Sequence, residues 1–310
     1  MNLVRHLTEN KLIRPPAWLP DNCAYLTIMG SIAYGVADTN DPEFQSDFDL
    51  YGFCIPPKDV IFPHLKGAIL GFGEYKSGLP RSHFQQFQQH HVHDPSARGG
   101  KGRDYDLTIF SVVKYFQLCL ECNPNVIDSL FAPEWAVQHS TQIGQLVREN
   151  RKLFLHQGIW DKFQGYAYSQ VHKMRTKEPQ KGSKREALRE KFGYDVKFGY
   201  HVVRLLNEAE QLLLEGDLDL LRSKEQLKAI RRGEWTEQDI FDYFENKRKE
   251  LEDVRSRSVL PAAPRREEIR ELLLQCLESH YGSLQGCVEV PGKAESVLQQ
   301  IRELMERQGY

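Results

Sequence analysis

The chain has 310 residues, of which 40% are hydrophobic, and its formal net charge is −2. This apolar content excludes a wholly disordered chain, and the length predicts one large or two modest domains. The near-neutral charge excludes a general basic field for nucleic acid, so a polyanionic partner would have to be held by a local basic groove.

The sequence shows neither the pattern of a signal peptide nor that of a membrane span. Its first 20 residues carry scattered charges without an apolar core, and no apolar run is long enough to cross a bilayer. We therefore expect a cytoplasmic protein with no membrane partner. Among six cysteines, only Cys119 and Cys122 have the spacing of zinc ligands, and no second pair accompanies them. We expect buried free thiols of a reducing compartment.

Two strands are predicted in the first 60 residues. The segment CAYLTIMG, residues 23–30, is a short apolar run ended by Gly30, which suits a buried strand followed by a tight turn. The segment SDFDLYGFCIPP then alternates acidic and apolar residues before a double proline. Because successive side chains of a strand point to opposite faces, Asp47 and Asp49 are predicted to share one face.

Residues 76–104 have a different composition from both strands. They are rich in Gln, His, Gly and Arg and poor in aliphatic residues, which predicts a long mobile loop. Its basic part, residues 97–103, could touch a phosphate backbone, fold over a substrate or be disordered. The segment HHVHD offers four potential ligands of a transition metal: His90, His91, His93 and Asp94. Since no predicted helix or strand fixes their geometry, we do not expect a metal site there.

A third strand is predicted for RDYDLTIFS, residues 103–111. It repeats the alternation of the second strand, with Asp104 and Asp106 on one face and apolar residues on the other. Three strands that bring a glycine turn and several acids to one edge of a sheet form a coherent set.

The period of the apolar residues becomes helical after the third strand. Ser111 can cap one helix, and Pro124 can begin the next. The N-terminal part, 1–140, is thus predicted to be a mixed β-sheet domain and the remainder, 141–310, a helical bundle, which is an α+β fold. Further strong helical segments are 140–154, 158–175, 184–215, 223–232, 236–257 and 265–281.

The acid pair on the second strand favours a metal site. Two carboxylates at i and i+2 of a strand lie close together and repel one another unless a cation lies between them. Oxygen ligands on a rigid strand suit Mg²⁺ or Mn²⁺, which take phosphate oxygens as further ligands. A third acid from a neighbouring strand would complete a site that holds a triphosphate and polarises an attacking hydroxyl.

The turn after the first strand suits a phosphate. Gly30 has no β-carbon, so its backbone can approach a phosphate closely, and Ser31 adds a hydroxyl beside the N–H groups that begin a helix. Taken alone, Gly-Ser after an apolar strand is weak evidence. Its combination with Asp-x-Asp on the next strand and a later strand acid indicates nucleotide chemistry more strongly.

This order of motifs resembles the DNA polymerase β-like nucleotidyltransferase superfamily. Four segments narrow the resemblance to its RNA-repair-pathway branch, the RlaP / YcgL-like family: GSIAYG, SDFDLYGFCIPP, DYDLTIFSVVKYFQLCLECNPNVIDSLF and KFGYDVKFGYHVVRLLNEAEQLLLEG. The resemblance runs through much of residues 25–275, and its active-site segments are specific. It implies a palm-like catalytic domain followed by a helical domain that closes the cleft.

The resemblance also implies roles for particular residues. Gly30 and Ser31 would form the triphosphate turn. Asp47 and Asp49 would be shared ligands of two Mg²⁺ or Mn²⁺ ions, with an NTP as substrate. Asp106 would be the third carboxylate, which ligates metal and helps to activate the incoming hydroxyl.

One alternative concerns that third carboxylate. Asp104 lies on the same predicted face as Asp106 and competes for the role. We favour Asp106, because DLTIFS is the segment that matches the family.

Three basic residues fall on one face of a predicted helix. Lys197, His201 and Arg204 are spaced i, i+4 and i+7. Either they form a cationic row that faces the triphosphate or an RNA backbone, or they lie on an ordinary solvated face. Tyr34, after the phosphate turn, is expected to pack rather than to contact a ligand.

These observations predict an enzyme that transfers NMP from an NTP to a hydroxyl acceptor and releases pyrophosphate. The resemblance implies that the acceptor is RNA, such as a tRNA-like end, in RNA repair. Two alternatives remain: transfer to a protein or small molecule, and a non-catalytic sensor of nucleotides or RNA ends. A sensor would be expected to have lost one acid, and all three candidates are present.

Overall fold

A five-stranded mixed sheet forms the N-terminal half of the protein. The computed structural model describes residues 2–37, 47–62, 84–178 and 181–283, together with 301, 302, 304 and 305. The strands are β1 (Cys23–Met29), β2 (Phe48–Cys54), β3 (Gln86–Asp94), β4 (Arg103–Ser111) and β5 (Val137–Ser140).

The strand order in the sheet is β3-β4-β2-β1-β5. Strand β2 pairs antiparallel with β1 and parallel with β4, while β3 and β5 pair antiparallel at the two edges. The parallel register places Asp49 of β2 opposite Asp106 of β4. The antiparallel register places Met29, the last residue of β1, opposite Asp49. The middle of the sheet thereby brings the end of β1 and the acids of β2 and β4 together.

Short helices lie before the first strand and between the strands, and longer helices follow the sheet. The first seven are α1 (Leu3–Glu9), α2 (Leu19–Asn22), α3 (Gly30–Ala33), α4 (Lys58–Ile61), α5 (Ala97–Gly100), α6 (Val112–Leu120) and α7 (Pro124–Leu130). The helices that follow, up to residue 281, are α8 (Gln142–Glu149), α9 (Gly158–Thr176), α10 (Lys184–Phe192), α11 (Val196–Glu215), α12 (Lys224–Arg231), α13 (Glu237–Ser256) and α14 (Arg266–Tyr281).

The central strand and one long helix organise the hydrophobic core. Every residue of β1 is buried, and the strand contributes to two hydrophobic clusters. One cluster includes residues of α1, and the other includes residues of α6, α7, α9 and α11. Helix α11 packs against α9, α12 and α13, and most of its length is buried. Burial on this scale is the dominant stabilising contribution, about 25 cal/mol per Å² of apolar surface.

The predicted N-terminal signals of α6 and α7 are confirmed. The hydroxyl of Ser111 accepts a hydrogen bond from the backbone N–H of Lys114, which satisfies a free donor in the first turn of α6. Pro124 is the first residue of α7, where its missing N–H costs nothing, and Asn123 caps the helix through the N–H of Val126.

Residues 76–104 do not form one long loop, which corrects that prediction. Residues 86–94 are strand β3, and its backbone groups hydrogen-bond to β4 along most of its length. As an edge strand with a largely exposed polar surface, β3 lacks the aliphatic pattern by which buried strands are identified. Residues 97–100 form the helical turn α5. The part from 76 to 83 lies outside the described residues.

The predicted helix over 184–215 is two helices. Gly193 ends α10 with a left-handed backbone, at φ 82°, and Asp195 caps α11 by accepting from the N–H of Lys197. A glycine in this conformation closes a helix without the steric penalty that other residues meet. The short edge strand β5 was not predicted, and its last residue, Ser140, is the first residue of the predicted helix 140–154.

The architecture confirms the predicted α+β fold, with a mixed N-terminal sheet followed by C-terminal helices. Among the described helices, none combines the length and apolar character that a bilayer crossing requires.

Candidate active site

The glycine turn after β1 lies against Asp49, the acid within strand β2. Gly30 begins α3 with φ +67°, a left-handed backbone that favours glycine. A β-carbon at this position would lie 2.0 Å from Oδ2 of Asp49, which is far inside van der Waals contact. The turn therefore requires glycine both for its conformation and for its closeness to the carboxylate. The structure places the predicted phosphate turn and the predicted metal ligand side by side.

Asp49 lies at the centre of a group of carboxylates. Burial, together with the negative charges of Asp106 and Asp47, raises its pKa from 3.8 to about 6. The positive charge of Lys197 and the neighbouring His90 oppose this shift. A carboxyl with such a pKa is partly protonated near neutral pH unless a cation compensates the surrounding charge. The electrostatics of Asp49 thus favour a cation at this edge of the sheet.

Three side chains converge here with the spacing of metal ligands. Asp47, His91 and Asp106 each offer one ligand atom, and these atoms lie within 4.8 Å of one another. Asp47 and His91 are exposed and Asp106 is partly buried, so the cluster opens to solvent. Two carboxylates and one imidazole are chemically suited to a divalent cation.

His91 is the member of this cluster that sequence reasoning did not expect. The HHVHD segment was noted as a possible ligand source but was expected to lack a frame. Strand β3 supplies that frame, which corrects the expectation. The signal in the sequence was the run of histidines itself, but only strand pairing shows that His90 and His91 both lie beside Asp106 and that His91 also lies near Asp47.

His90 also lies beside Asp106, with its Nδ1 3.4 Å from Oδ2, whereas the remaining two members of HHVHD have other partners. His93 Nδ1 lies 2.7 Å from Oδ1 of Asp104, its opposite residue on β4. The buried Asp94 accepts from Nε2 of His6 at 3.1 Å. The pairing of Asp104 with His93, and the register of Asp106 with Asp49, favour Asp106 as the third carboxylate.

Lys197 faces the acids from the helical half. It lies in the first turn of α11, behind the cap Asp195. Burial and the neighbouring cations Arg231 and Arg185 lower its pKa, whereas the charges of Asp195 and Asp47 oppose the shift. Because Lys197 also acts on the pKa of Asp49, its ammonium group is electrostatically coupled to the acid cluster.

His201, one turn further along α11, lies in a cationic environment. Burial lowers its pKa well below the usual value, and the charges of four basic residues lower it further. The imidazole is therefore neutral at physiological pH. The basic residues are Arg204, Arg231, Arg185 and Lys197.

Arg204 is buried, so it does not lie on a solvated helix face. Its Nη1 donates to Oδ2 of Asp128 and to the hydroxyl of Tyr34, and lies 3.4 Å from Oε1 of Glu208. The Tyr34 hydroxyl donates to Asp128 at 2.7 Å. These contacts tie α11 to α7 and to the residue after α3. That Arg204 contacts a triphosphate stays a prediction.

Cys119 and Cys122, which have the spacing of zinc ligands, are buried free thiols as expected. Cys122 Sγ lies 3.1 Å from Nε2 of His156. Burial raises the pKa of Cys122 to about 12, so its sulfur is a thiol at neutral pH.

One of three comparisons with known proteins found a match. Residues 4–275 match a family model described as the RNA repair pathway DNA polymerase beta family, RlaP. The matched range contains the glycine turn, the three acids and α11. Neither the curated proteins nor the solved structures contain a match to this chain. Since the model covers most of the chain, the protein belongs to the RNA repair pathway DNA polymerase β family, RlaP.

Proposed function

We propose that this protein is a metal-dependent nucleotidyltransferase that transfers NMP from an NTP to a hydroxyl at an RNA end, such as a tRNA-like end, in RNA repair. The observation that carries the proposal is the contact between the Gly30 turn and Asp49, with Asp106 in register beside it. A site for phosphates and a site for cations are thereby adjacent. Family membership supports the same reaction class.

The reaction requires one substitution at phosphorus. The acceptor oxygen forms a bond to the α-phosphorus, the bond from that phosphorus to the bridging oxygen breaks, and pyrophosphate leaves. The hydroxyl proton passes to a base, for which we propose Asp106. Positioning and charge stabilisation supply most of the rate enhancement in such reactions.

The acids would hold Mg²⁺ or Mn²⁺, two ions in the proposed mechanism. Asp47, His91 and Asp106 have the required proximity, and Asp49 adds a carboxylate beside them. Bound divalent ions neutralise phosphate charge and lower the pKa of the attacking hydroxyl.

The remaining residues of the site would act on the triphosphate. We propose that the backbone N–H groups of the Gly30–Ser31 turn bind its oxygens. Lys197 supplies positive charge from the opposite side, and the neutral His201 supplies a hydrogen bond. Arg204 contributes by fixing α11 against α7 and Tyr34, which keeps Lys197 in place.

We propose a division of labour along the chain. Residues 1–140 carry the catalytic acids, and residues 141–310 close the nucleotide and acceptor cleft. The five cysteines within the described part of the chain are free thiols, which supports a reducing compartment such as the cytoplasm.

The test is a transfer assay with a labelled acceptor as readout. Purified protein is incubated with each α-labelled NTP, Mg²⁺ or Mn²⁺, and either total RNA or total cell protein. We expect label in the RNA fraction and release of pyrophosphate. Asp49→Asn should abolish both, whereas Asp161→Asn, an exposed carboxylate paired with Arg255, should change neither.

Other outcomes assign the alternatives. Label in protein or in a small molecule would keep the reaction class and replace the acceptor. Tight NTP binding without pyrophosphate release would contradict catalysis and indicate a sensor. Unchanged transfer in Asp49→Asn would overturn the proposed site.

A further inference from the structure

A nitrogen donor lies among the carboxylates at the edge of the sheet. His91 Nδ1 lies 4.0 Å from Oδ1 of Asp106, and the imidazole belongs to the same convergent set as Asp47. The side chain is 85% exposed, so its nitrogen is accessible to an ion from solvent. This arrangement changes which ion the site should prefer.

The position of His91 results from a β-bulge. In the pairing of β3 with β4, Gln89 opposes Leu107 and Val92 opposes Tyr105. Two residues, His90 and His91, therefore oppose Asp106 alone. An extra residue in one strand bends it and redirects a side chain, and such bulges are frequent next to active sites.

The backbone at the bulge holds His91 in an uncommon conformation. Its φ is 54°, in the left-handed region that residues other than glycine rarely adopt. Its N–H donates to Oδ1 of Asp106 at 2.7 Å. The same carboxylate thus anchors the backbone of His91 and lies beside its ring.

The ligand types discriminate between metal ions. Mg²⁺ is a hard ion that binds oxygen and retains water, whereas imidazole suits first-row transition ions. A set of two carboxylates and one imidazole therefore favours a transition ion over Mg²⁺. His91 adds little to Mg²⁺ affinity and much to that of Mn²⁺ or a later ion.

We propose that His91 is a metal ligand and that it gives this site a preference for a divalent first-row transition ion over Mg²⁺. The role of the bound ion rests on the proposed nucleotidyl transfer, but its binding can be measured without catalysis. Mn²⁺ serves as the probe, because its free form has a resolved paramagnetic resonance spectrum that is lost on binding.

The experiment is a Mn²⁺ titration of the full chain after chelator treatment and desalting, followed by displacement with Mg²⁺. We expect Mn²⁺ to bind at least about tenfold more tightly than Mg²⁺. His91→Asn should weaken Mn²⁺ binding by about tenfold or more and leave Mg²⁺ binding nearly unchanged. Asparagine is chosen because it tolerates positive φ, so the bulge can persist.

His93→Asn is the matched control. It removes an imidazole from the same strand, where the ring pairs with Asp104 outside the convergent set. This variant should bind both ions as the wild type does. Should His91→Asn prove unstable in a thermal melt, His91→Gly removes the ring while accepting the same backbone conformation.

Three results would overturn the proposal: equal affinity of the wild type for both ions, equal loss of both ions in the His91 variants, or the same effect from His93→Asn. The failures are separable. If the wild type shows no preference for Mn²⁺ but does transfer NMP, only the role of His91 is overturned. A Mn²⁺ preference without any transfer overturns only the proposed function.

Discussion

Two groups of carboxylates in this protein deal with their mutual repulsion in different ways. At the sheet edge, Asp47, Asp49 and Asp106 form a group that opens to solvent at the exposed Asp47, while Asp49 and Asp106 are partly buried. The positive charge that acts on Asp49 comes from Lys197, on a separate element. Between α7 and α11, Asp128 and Glu208 are buried against Arg204, which makes contacts with both. The buried group contains its own counterion, whereas the open group accumulates negative charge.

This difference separates a structural cluster from a candidate catalytic one. A guanidinium between two carboxylates makes contacts that hold helices together, although a buried ion pair adds little stability relative to apolar packing. Carboxylates that converge at an open edge raise the free energy of the folded protein until a cation binds. Uncompensated charge beside the Gly30 turn thus marks the place where an external cation contributes most.

The largest expected effect comes from a comparison of two variants, each with one acid of one group replaced by asparagine. Asp106→Asn should reduce transfer by about a thousandfold or more, because it removes a residue that we propose as both metal ligand and base. Its free energy of unfolding should stay within about 1 kcal/mol of the wild type. Asp128→Asn should show the reverse pattern, with lower stability and transfer largely kept by the folded protein. Measured turnover and urea unfolding check both, and equal patterns would contradict the distinction.

The second effect concerns the buried counterion. Arg204→Met leaves two buried carboxyl groups without their cation and should lower the free energy of unfolding by about 3–5 kcal/mol. Urea denaturation measures the loss. Arg255→Met is the control, since its pair with Asp161 is exposed and should be worth no more than about 1 kcal/mol. A comparable small loss in both variants would show that the Arg204 cluster is not a structural tie.

The third prediction tests the uncompensated charge directly in metal-free protein. The pKa of Asp49 is about 6 when folded, above the value of about 3.9 in an unfolded chain. The wild type therefore loses stability as pH rises from about 4 to about 6, because the unfolded chain releases this proton first. Asp49→Asn cannot ionise and should be more stable at pH 7.5 by about 1–3 kcal/mol.

The gain from Asp49→Asn should shrink as the pH falls and vanish below about pH 4, where both states hold the proton. Chemical unfolding at several pH values, with chelator present, measures it. A gain that does not change with pH would mean that the asparagine acts through packing rather than through charge.

The smallest effect is expected within the buried group. Burial raises the pKa of Glu208 well above its usual range, and Arg204 lies closer to Asp128 than to Glu208. Glu208 should therefore hold a proton at neutral pH, so that Glu208→Gln costs less than about 1 kcal/mol. Unfolding at pH 7 decides the point. A loss as large as that of Asp128→Asn would show that both carboxyls are ionised.

Much of the fold followed from local patterns. The apolar run of β1 and the alternation in β2 and β4 predicted those strands, and the cap Ser111 and Pro124 each predicted the start of a helix. Strand β3 was missed, because an edge strand with a polar surface has neither pattern. The split of the helix over 184–215 depended on one glycine and one cap, which are weaker signals than a proline.

The sequence alone determined which residues of a single segment lie together at the candidate site. Spacing placed Asp47 and Asp49 on one face and joined the glycine turn to the end of β1, because strand periodicity is a local property. Only the tertiary structure decided that Asp106 lies beside Asp49, that a bulge brings His91 to them, and that Arg204 is buried with Asp128 while Lys197 acts on the acids. Strand register and helix packing are set by contacts between distant segments, which no local pattern contains.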